Sequence, residues 1–214
     1  MNLAELFTLT LHADYLDVEK DASFSVIGKG NTLYLLFQWS RGCTDWKHNL
    51  DFPVFPYRDM PHRFLCHRGF LTVWKAAEPY IGEILKSTSL QKITVSGYSH
   101  GGALAMLCHE YIWYRFPVFR PLLQSVGFGS PRVLFRLPGT RWPRERFEQF
   151  LTVRNLDDAV THLPPALLGY RHVGSLLEIG TKGQYSSLDA HRPEHYRREL
   201  WNYIYSTPNH AHDY

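Results

Sequence analysis

Short β-rich runs and segments of helical hydrophobic period alternate along most of this chain, and that alternation restricts the fold more than any other feature. "FLTVWKAAEPYIGEILKS" (70–87) places apolar residues at helical spacing and predicts a long helix. "KITVSG" (92–97) predicts a short buried strand, and "ALAMLCHEYIWYRF" (103–116) a second amphipathic helix. "LQSVGFGSP" (123–131) and "FLTVRN" (150–155) predict two further strands, "SLLEI" (175–179) a weak one, and "HYRRELWNYIY" (195–205) the last helix. Strands separated by helices imply a mostly parallel sheet with helices on both faces. Upstream, "NLAELFTLTLHADYL" predicts a helix, and "FSVIGKGNTLYLLFQW" predicts a hairpin turning near Gly30 and Asn31, which adds an antiparallel edge. Thr44 is positioned to cap a short helix in "TDWKHNL". The one unusual connection is "DFPVFPYRDMPHRFLC" (51–66), rich in proline and aromatics.

At 214 residues with no internal repeat or linker, the chain is expected to form one domain over residues 1–214. Lys and Arg total 23 against 20 acidic residues, a surplus too small to point to nucleic acid. Cys43, Cys66 and Cys108 form no Cys-x-x-Cys pair and are read as reduced thiols. The N-terminus lacks a basic n-region and carries acids where an apolar core would be, so no Sec signal peptide is expected. No apolar run is long enough to span a bilayer. The expectation is a soluble chain, cytoplasmic or exported without such a signal.

Between the predicted strand and helix lies Gly97-Tyr98-Ser99-His100-Gly101. Gly-x-Ser-x-Gly alone is weak, arising by chance in roughly one protein of this length in ten to twenty. Its context is more specific. A nucleophile elbow needs a serine on a tight strand-to-helix turn with small neighbours, and Gly97, Gly101, Gly102 and Ala103 supply them. A serine nucleophile needs a base, and the base an orienting acid, following in the order acid then histidine. Asp157 and Asp158 sit just past the strand at 150–155, and His162, His172, His191 and His195 all lie downstream of Ser99. Spacing alone leaves these choices open.

Six segments, the serine turn among them, share an order with one family. "LFQWSRGCTDWKHNLDF" resembles a Phe-Arg-Gly-Thr segment with following Asp-Trp and Asn-x-x-Phe, and "CHRGFLTVW" a His-x-Gly-Phe helix opening. "ITVSGYSHGGALAML" resembles Gly-His-Ser-Leu-Gly-Gly-Ala-Leu, and "VGFGSPRV" a Phe-Gly-x-Pro-Arg-Val strand end. "RNLDDAVTHLPPALLGYRHVG" resembles Asp-x-Val before Leu-Pro-Pro and Gly-Tyr-x-His, and "HRPEHY" a His-x-x-x-x-Tyr spacing. Together, over roughly residues 31–200, the chain resembles the class 3 lipases, fungal lipase-like α/β-hydrolases and their bacterial relatives.

That resemblance implies an α/β-hydrolase fold, with Ser99 as nucleophile, Asp158 rather than Asp157 as acid, and His191 as histidine, His195 being the fallback. His67 and His172 match family positions outside the triad. The oxyanion donors would be the backbone N–H of His100 and the residue Ser40. Trp39 stands where the family has a small glycine, Tyr98 where it commonly has His, and His100 where Leu is common. The segment 51–66 falls where fungal relatives carry a lid. Its Phe55 and Tyr57, with Trp39 and Tyr98, are the candidate substrate-binding residues, expected to wall an apolar acyl pocket.

The implied activity is hydrolysis of carboxylic esters, lipid or acylglycerol, through an acyl-enzyme, with no metal or cofactor and with transient contact to a lipid interface. His210 and His212 near the C-terminus are read as solvent-exposed sequence rather than a metal tail. The alternatives are a catalytically silent lipid-binding or interaction module, and a hydrolase of thioesters or small soluble esters.

Overall fold

A computed structural model describes residues 1–39, 52–60, 64–89, 91–137, 139 and 145–206. The helix expected from Thr44, the oxyanion candidate Ser40, Cys43, His210 and His212 lie outside the described residues.

Seven strands build the central sheet: β1 (Leu16–Asp17), β2 (Ser23–Lys29), β3 (Thr32–Phe37), β6 (Lys92–Tyr98), β7 (Leu123–Phe128), β9 (Phe150–Asn155) and β11 (Ser175–Ile179), in the order β1-β2-β3-β6-β7-β9-β11. The β1–β2–β3 edge is antiparallel, and pairing from β3 through β6, β7 and β9 to β11 is parallel. The hairpin turns at Gly30, whose φ of 59° suits glycine in the left-handed region. The weak β11 signal has a plain cause. It is an edge strand, and of its five residues only Ile179 is fully buried.

Helices cover both faces, as the alternation predicts. α2 (Arg68–Ser87) and α3 (His100–Arg115) pack on one, where Leu33, Leu35, Phe37, Ile93 and Val95 join their apolar side chains. α1 (Leu3–His12) and α4 (Pro193–Ser206) pack on the other, against Tyr34, Leu36, Val126, Phe128 and Val153. The alternation of β3 side chains between the two cores is the period of two that a strand imposes. Asn2 and Glu5 close a capping box at the start of α1, each side chain bonding the other residue's N–H at 2.9–3.0 Å.

A second, antiparallel sheet escaped the sequence reading. It orders β10 (Tyr170–Arg171), β8 (Leu134–Phe135), β5 (Phe64–His67) and β4 (Val54–Tyr57). The proline- and aromatic-rich connection is therefore partly a hairpin, β4–β5, rather than an open loop. Among the described residues, no helix is long and apolar enough to cross a membrane.

Candidate active site

Parallel strands of one sheet deliver their C-terminal ends to one edge, and the candidate residues gather there. β6 ends at Tyr98, Ser99 follows, and α3 begins at His100. Ser99 has φ 56° and ψ −120°, a strained backbone for a residue with a side chain. Small neighbours make the turn feasible. A Cβ at Gly97 would lie 2.0 Å from the Gly101 carbonyl oxygen, and one at Gly101 would lie 2.2 Å from that of Phe37. The Ser99 N–H donates to the Phe128 carbonyl at 2.8 Å, which ties the turn to β7.

Asp158 follows β9, is wholly buried, and is held from three directions. Its Oδ1 accepts from the Val160 N–H at 2.9 Å, and its Oδ2 from the Tyr196 hydroxyl at 2.6 Å and from His191 Nδ1 at 2.7 Å. His191 lies between β11 and α4, and its Nε2 faces Ser99 Oγ at 2.8 Å. With Nδ1–H donated to the carboxylate, Nε2 is left to accept the serine proton. Ser99, His191 and Asp158 thus form one continuous chain of hydrogen bonds.

Two tyrosines brace this line. Tyr196 is fully buried, and burial together with the Asp158 charge pushes its hydroxyl well above the usual range, so it stays a donor. It also accepts the Asn155 N–H at 3.0 Å. Tyr98 stacks on the His191 ring, centroids 5.3 Å apart and planes at 23°, and its hydroxyl donates to the His191 carbonyl. Tyr196 as partner of the acid was missed. The His-x-x-x-x-Tyr spacing carried the signal, but only as a marker for the histidine.

The other candidates are placed elsewhere. Asp157 is half-buried and accepts from the Gly183 and Tyr185 N–H groups at 2.9 and 3.1 Å, bonds that hold its carboxyl below the usual range. His195 stacks on Tyr185 at 4.1 Å and bonds the Asp189 carbonyl at 2.9 Å. His172 bonds the Thr161 carbonyl at 2.7 Å, and burial holds it down at about 4. His67 caps α2, its Nδ1 accepting the Phe70 N–H at 3.3 Å. His162 is exposed, 3.4 Å from an Arg132 nitrogen.

A cleft of about 270 Å³ opens over Ser99 and His191. Trp39, Tyr98 and His100 line it, with Phe70, Val160, Leu163, Pro164 and Leu188 supplying apolar walls. Of the four candidate substrate-binding residues, Trp39 and Tyr98 are therefore at the cleft. Phe55 and Tyr57 are not among its lining residues. The Tyr57 side chain turns into the core, accepting from Trp74 Nε1 at 2.7 Å and donating to Glu78 at 2.5 Å, while Phe55 is half exposed on β4. Two residues apart on β4, Phe55 and Tyr57 are at the period that shares a strand face, and that face is not the cleft. No described residue of 51–66 lines the cleft, so the lid expected there gains no support from the described part of that segment.

His100 opens α3 and is buried against Phe70, ring centroids 5.5 Å apart. The first N–H groups of a helix point out of its N-terminus, and there they favour negative charge. Among the described residues no group of three His, Cys, Asp or Glu is arranged to hold a metal ion. Cys66 and Cys108 are buried free thiols, and burial pushes both up.

Residues 34–168, well over half of the chain, match the family Lipase (class 3). The chain belongs to the class 3 lipase family. A lipase of Rhizopus niveus is 29% identical over 167 residues, which cover 72% of this chain and 40% of the relative. This class 3 lipase chain therefore spans well under half the length of that curated relative. Among solved structures, Rhizomucor miehei triacylglyceride lipase superposes with a TM-score of 0.68 at 22% identity, covering 84% of this chain and 78% of the other. A triacylglycerol lipase whose catalytic centre is a serine protease triad gives 0.68 at 23% identity, covering 83% and 77%. At such identities the superpositions establish the α/β-hydrolase fold. The family match ends before His191, which hydrogen bonds join to Ser99 and Asp158.

Proposed function

We propose that this class 3 lipase family member is a serine hydrolase of carboxylic esters, acting on lipid or acylglycerol esters, built as one α/β-hydrolase domain. The observation that carries the reading is the unbroken line Ser99 Oγ–His191 Nε2, His191 Nδ1–Asp158 Oδ2, set on a strained turn at the mouth of an apolar cleft. The family membership and the lipases it matches support the same chemistry.

In this mechanism Ser99 Oγ attacks the ester carbonyl while His191 Nε2 takes its proton. Asp158 holds the imidazole in the required tautomer and stabilises the imidazolium that forms. The tetrahedral oxyanion is met by the backbone N–H of His100, with Ser40 as second donor. His191 then protonates the departing alcohol, and water repeats the sequence on the acyl-enzyme. Trp39 and Tyr98 contact the substrate at the cleft.

A fluorophosphonate probe tests the nucleophile. Wild type should label and turn over a soluble ester, and Ser99→Ala should lose labelling and about five to six orders of magnitude in kcat. Unlabelled wild type, or equal labelling of the alanine variant, would leave a silent lipid-binding module as the better account.

A further inference from the structure

His191 reaches the site with neither a strand nor a long helix beneath it. It closes a single turn, Asp189–His191, between β11 and α4. The backbone bonds of that turn are local. The Ala190 N–H donates to the Ser186 carbonyl at 2.8 Å, that of His191 to Leu188 at 3.2 Å, and that of Arg192 to Asp189 at 3.0 Å. Further back, Asp157 takes the Gly183 and Tyr185 N–H groups, and the Ala159 N–H donates to the Ser187 carbonyl at 3.2 Å. These bonds shape the segment, but none of them joins the turn itself to the sheet.

Two side chains do. β6 ends at Tyr98 and β9 at Asn155. The Tyr98 hydroxyl donates to the His191 carbonyl, and Asn155 Nδ2 donates to the Ala190 carbonyl at 3.4 Å. Two successive carbonyls are thus held from the last residues of two strands. The same strand ends carry the rest of the hydrogen-bonded line. Ser99 follows Tyr98 directly, and the Asp158 N–H donates to the Asn155 carbonyl at 3.0 Å. Asn155 and Ala190 are wholly buried and Tyr98 is 1% exposed, surroundings in which a hydrogen bond is stronger than in water.

Asn155 is not the residue that folding alone favours. Its Oδ1 is buried without a hydrogen-bond partner, and a Cβ at Gly180 would lie 2.8 Å from it. An unpaired buried acceptor destabilises the folded state, and an apolar side chain of similar shape would avoid that cost. What the amide contributes instead is the bond to Ala190, one residue from the base.

We infer that Asn155 and Tyr98 are positioning residues, a two-point clamp that holds His191 in register with Ser99 and Asp158. Both act through the backbone at residues 190 and 191. A base misplaced by an ångström loses most of its effect, so the clamp sets the rate. That consequence rests on the ester-hydrolase reading, whereas the placement of the imidazole does not.

Asn155→Leu and Tyr98→Phe, singly and combined, test this, since each keeps the bulk of the side chain and removes its bond to the turn. Each should lower kcat for a soluble ester about five- to tenfold, and the pair about 30- to 100-fold, with KM within about threefold of wild type. Asn155→Leu should keep Tm within about 2 °C of wild type, because the unpaired Oδ1 is removed together with the bond. Turnover lost without stability is what a merely structural residue would not show. In proton NMR spectra the His191 Nδ1–H bonded to Asp158, identified by its absence from His191→Gln, should be sharp in wild type and broadened by exchange with water in the double variant. Double-variant turnover within about twofold of wild type, that resonance unchanged, or a kcat loss that tracks Tm across the variants would each overturn the inference. If wild type cleaves no ester, the hydrolase reading fails and the resonance decides alone: broadened in the double variant it upholds the clamp, and unchanged it refutes it.

Discussion

Helix α3 carries one serine–histidine pair at its N-terminus and another past its midpoint, and the two have the same spacing. At its N-terminus Ser99 Oγ faces His191 Nε2 at 2.8 Å. Two and a half turns on, Ser125 Oγ of β7 faces His109 Nδ1, also at 2.8 Å. Behind His191 stands the carboxylate of Asp158, while behind His109 stands the carbonyl of Arg146, at 2.6 Å from Nε2. A carbonyl fixes a tautomer but brings no negative charge to offset an imidazolium. Burial accordingly pushes His109 down to about 4, and the ring stays neutral. Ser125 lies within a regular strand, whereas Ser99 sits at positive φ beside a cleft. The serine–histidine distance alone therefore does not mark the proposed catalytic pair; the acid, the strained turn and access to the cleft set it apart from the buried one.

The sharpest way to break this contrast is Asp158→Asn, which puts an amide behind His191. It should lower kcat for a soluble ester by about four orders of magnitude, because the wrong tautomer is then favoured. A variant within tenfold of wild type would erase the distinction between the two pairs.

The buried pair is read through stability instead. An unfolded His109 protonates near 6.5 and the folded one near 4, so it withdraws stability as pH falls through that window. Glu110, 3.2 Å from Arg146 and pushed up to about 7 by burial against that charge, acts in the opposite direction. Between about 4.5 and 7 the folded state keeps a proton there that the unfolded chain has lost. Its contribution is therefore present at low pH and lost as pH rises through 7. Glu110→Gln should steepen the loss of stability from pH 7 to 5 and His109→Gln should flatten it, each by roughly 1–3 kcal/mol. Urea midpoints at both pH values that tilt the same way in both variants would refute this account.

Tyr196→Phe removes one bond to Asp158 and one acceptor for the Asn155 N–H. It should cost about 1–2 kcal/mol of stability and about tenfold or less in kcat. A full loss of activity would mean that Tyr196 does more than brace the acid. The smallest expected effect is on turnover by Ser125→Ala, within about twofold, despite a loss of about 1 kcal/mol in stability from the unpaired His109 nitrogen. Ester kinetics and denaturant midpoints on one preparation check both.

The long elements were legible because each buries many apolar side chains. α2 carries them at helical period, β3 and β6 are buried on both faces, and α3, expected to be amphipathic, is buried on every side from residue 100 to 112 because it lies inside the core. The second sheet was not legible, since β8 and β10 are two residues each and their pairing joins positions far apart in sequence. Ser99 was readable from its strand, glycines and helix. Choosing Asp158 over Asp157 and His191 over His195 needed the family resemblance, because which neighbour points into a site depends on a turn that composition does not encode. Phe55 and Tyr57 failed for a related reason. Aromatic residues serve cores and clefts alike, and it is the pairing of β4 with β5 in the second sheet that places both away from the cleft.

Residues 100–112 of α3 are buried on every side. Such a helix has no solvent-facing stripe along which to fray, and its amides should exchange with solvent slowly. Ser99 directly precedes this helix, so the proposed nucleophile adjoins a fully buried element of the fold. His191 arrives instead on an irregular segment between an edge strand and α4, where Lys182, Gly183 and Leu188 are exposed. Gentle heating should therefore release the imidazole before it disturbs the serine, leaving a molecule that is still folded but no longer has its base in place.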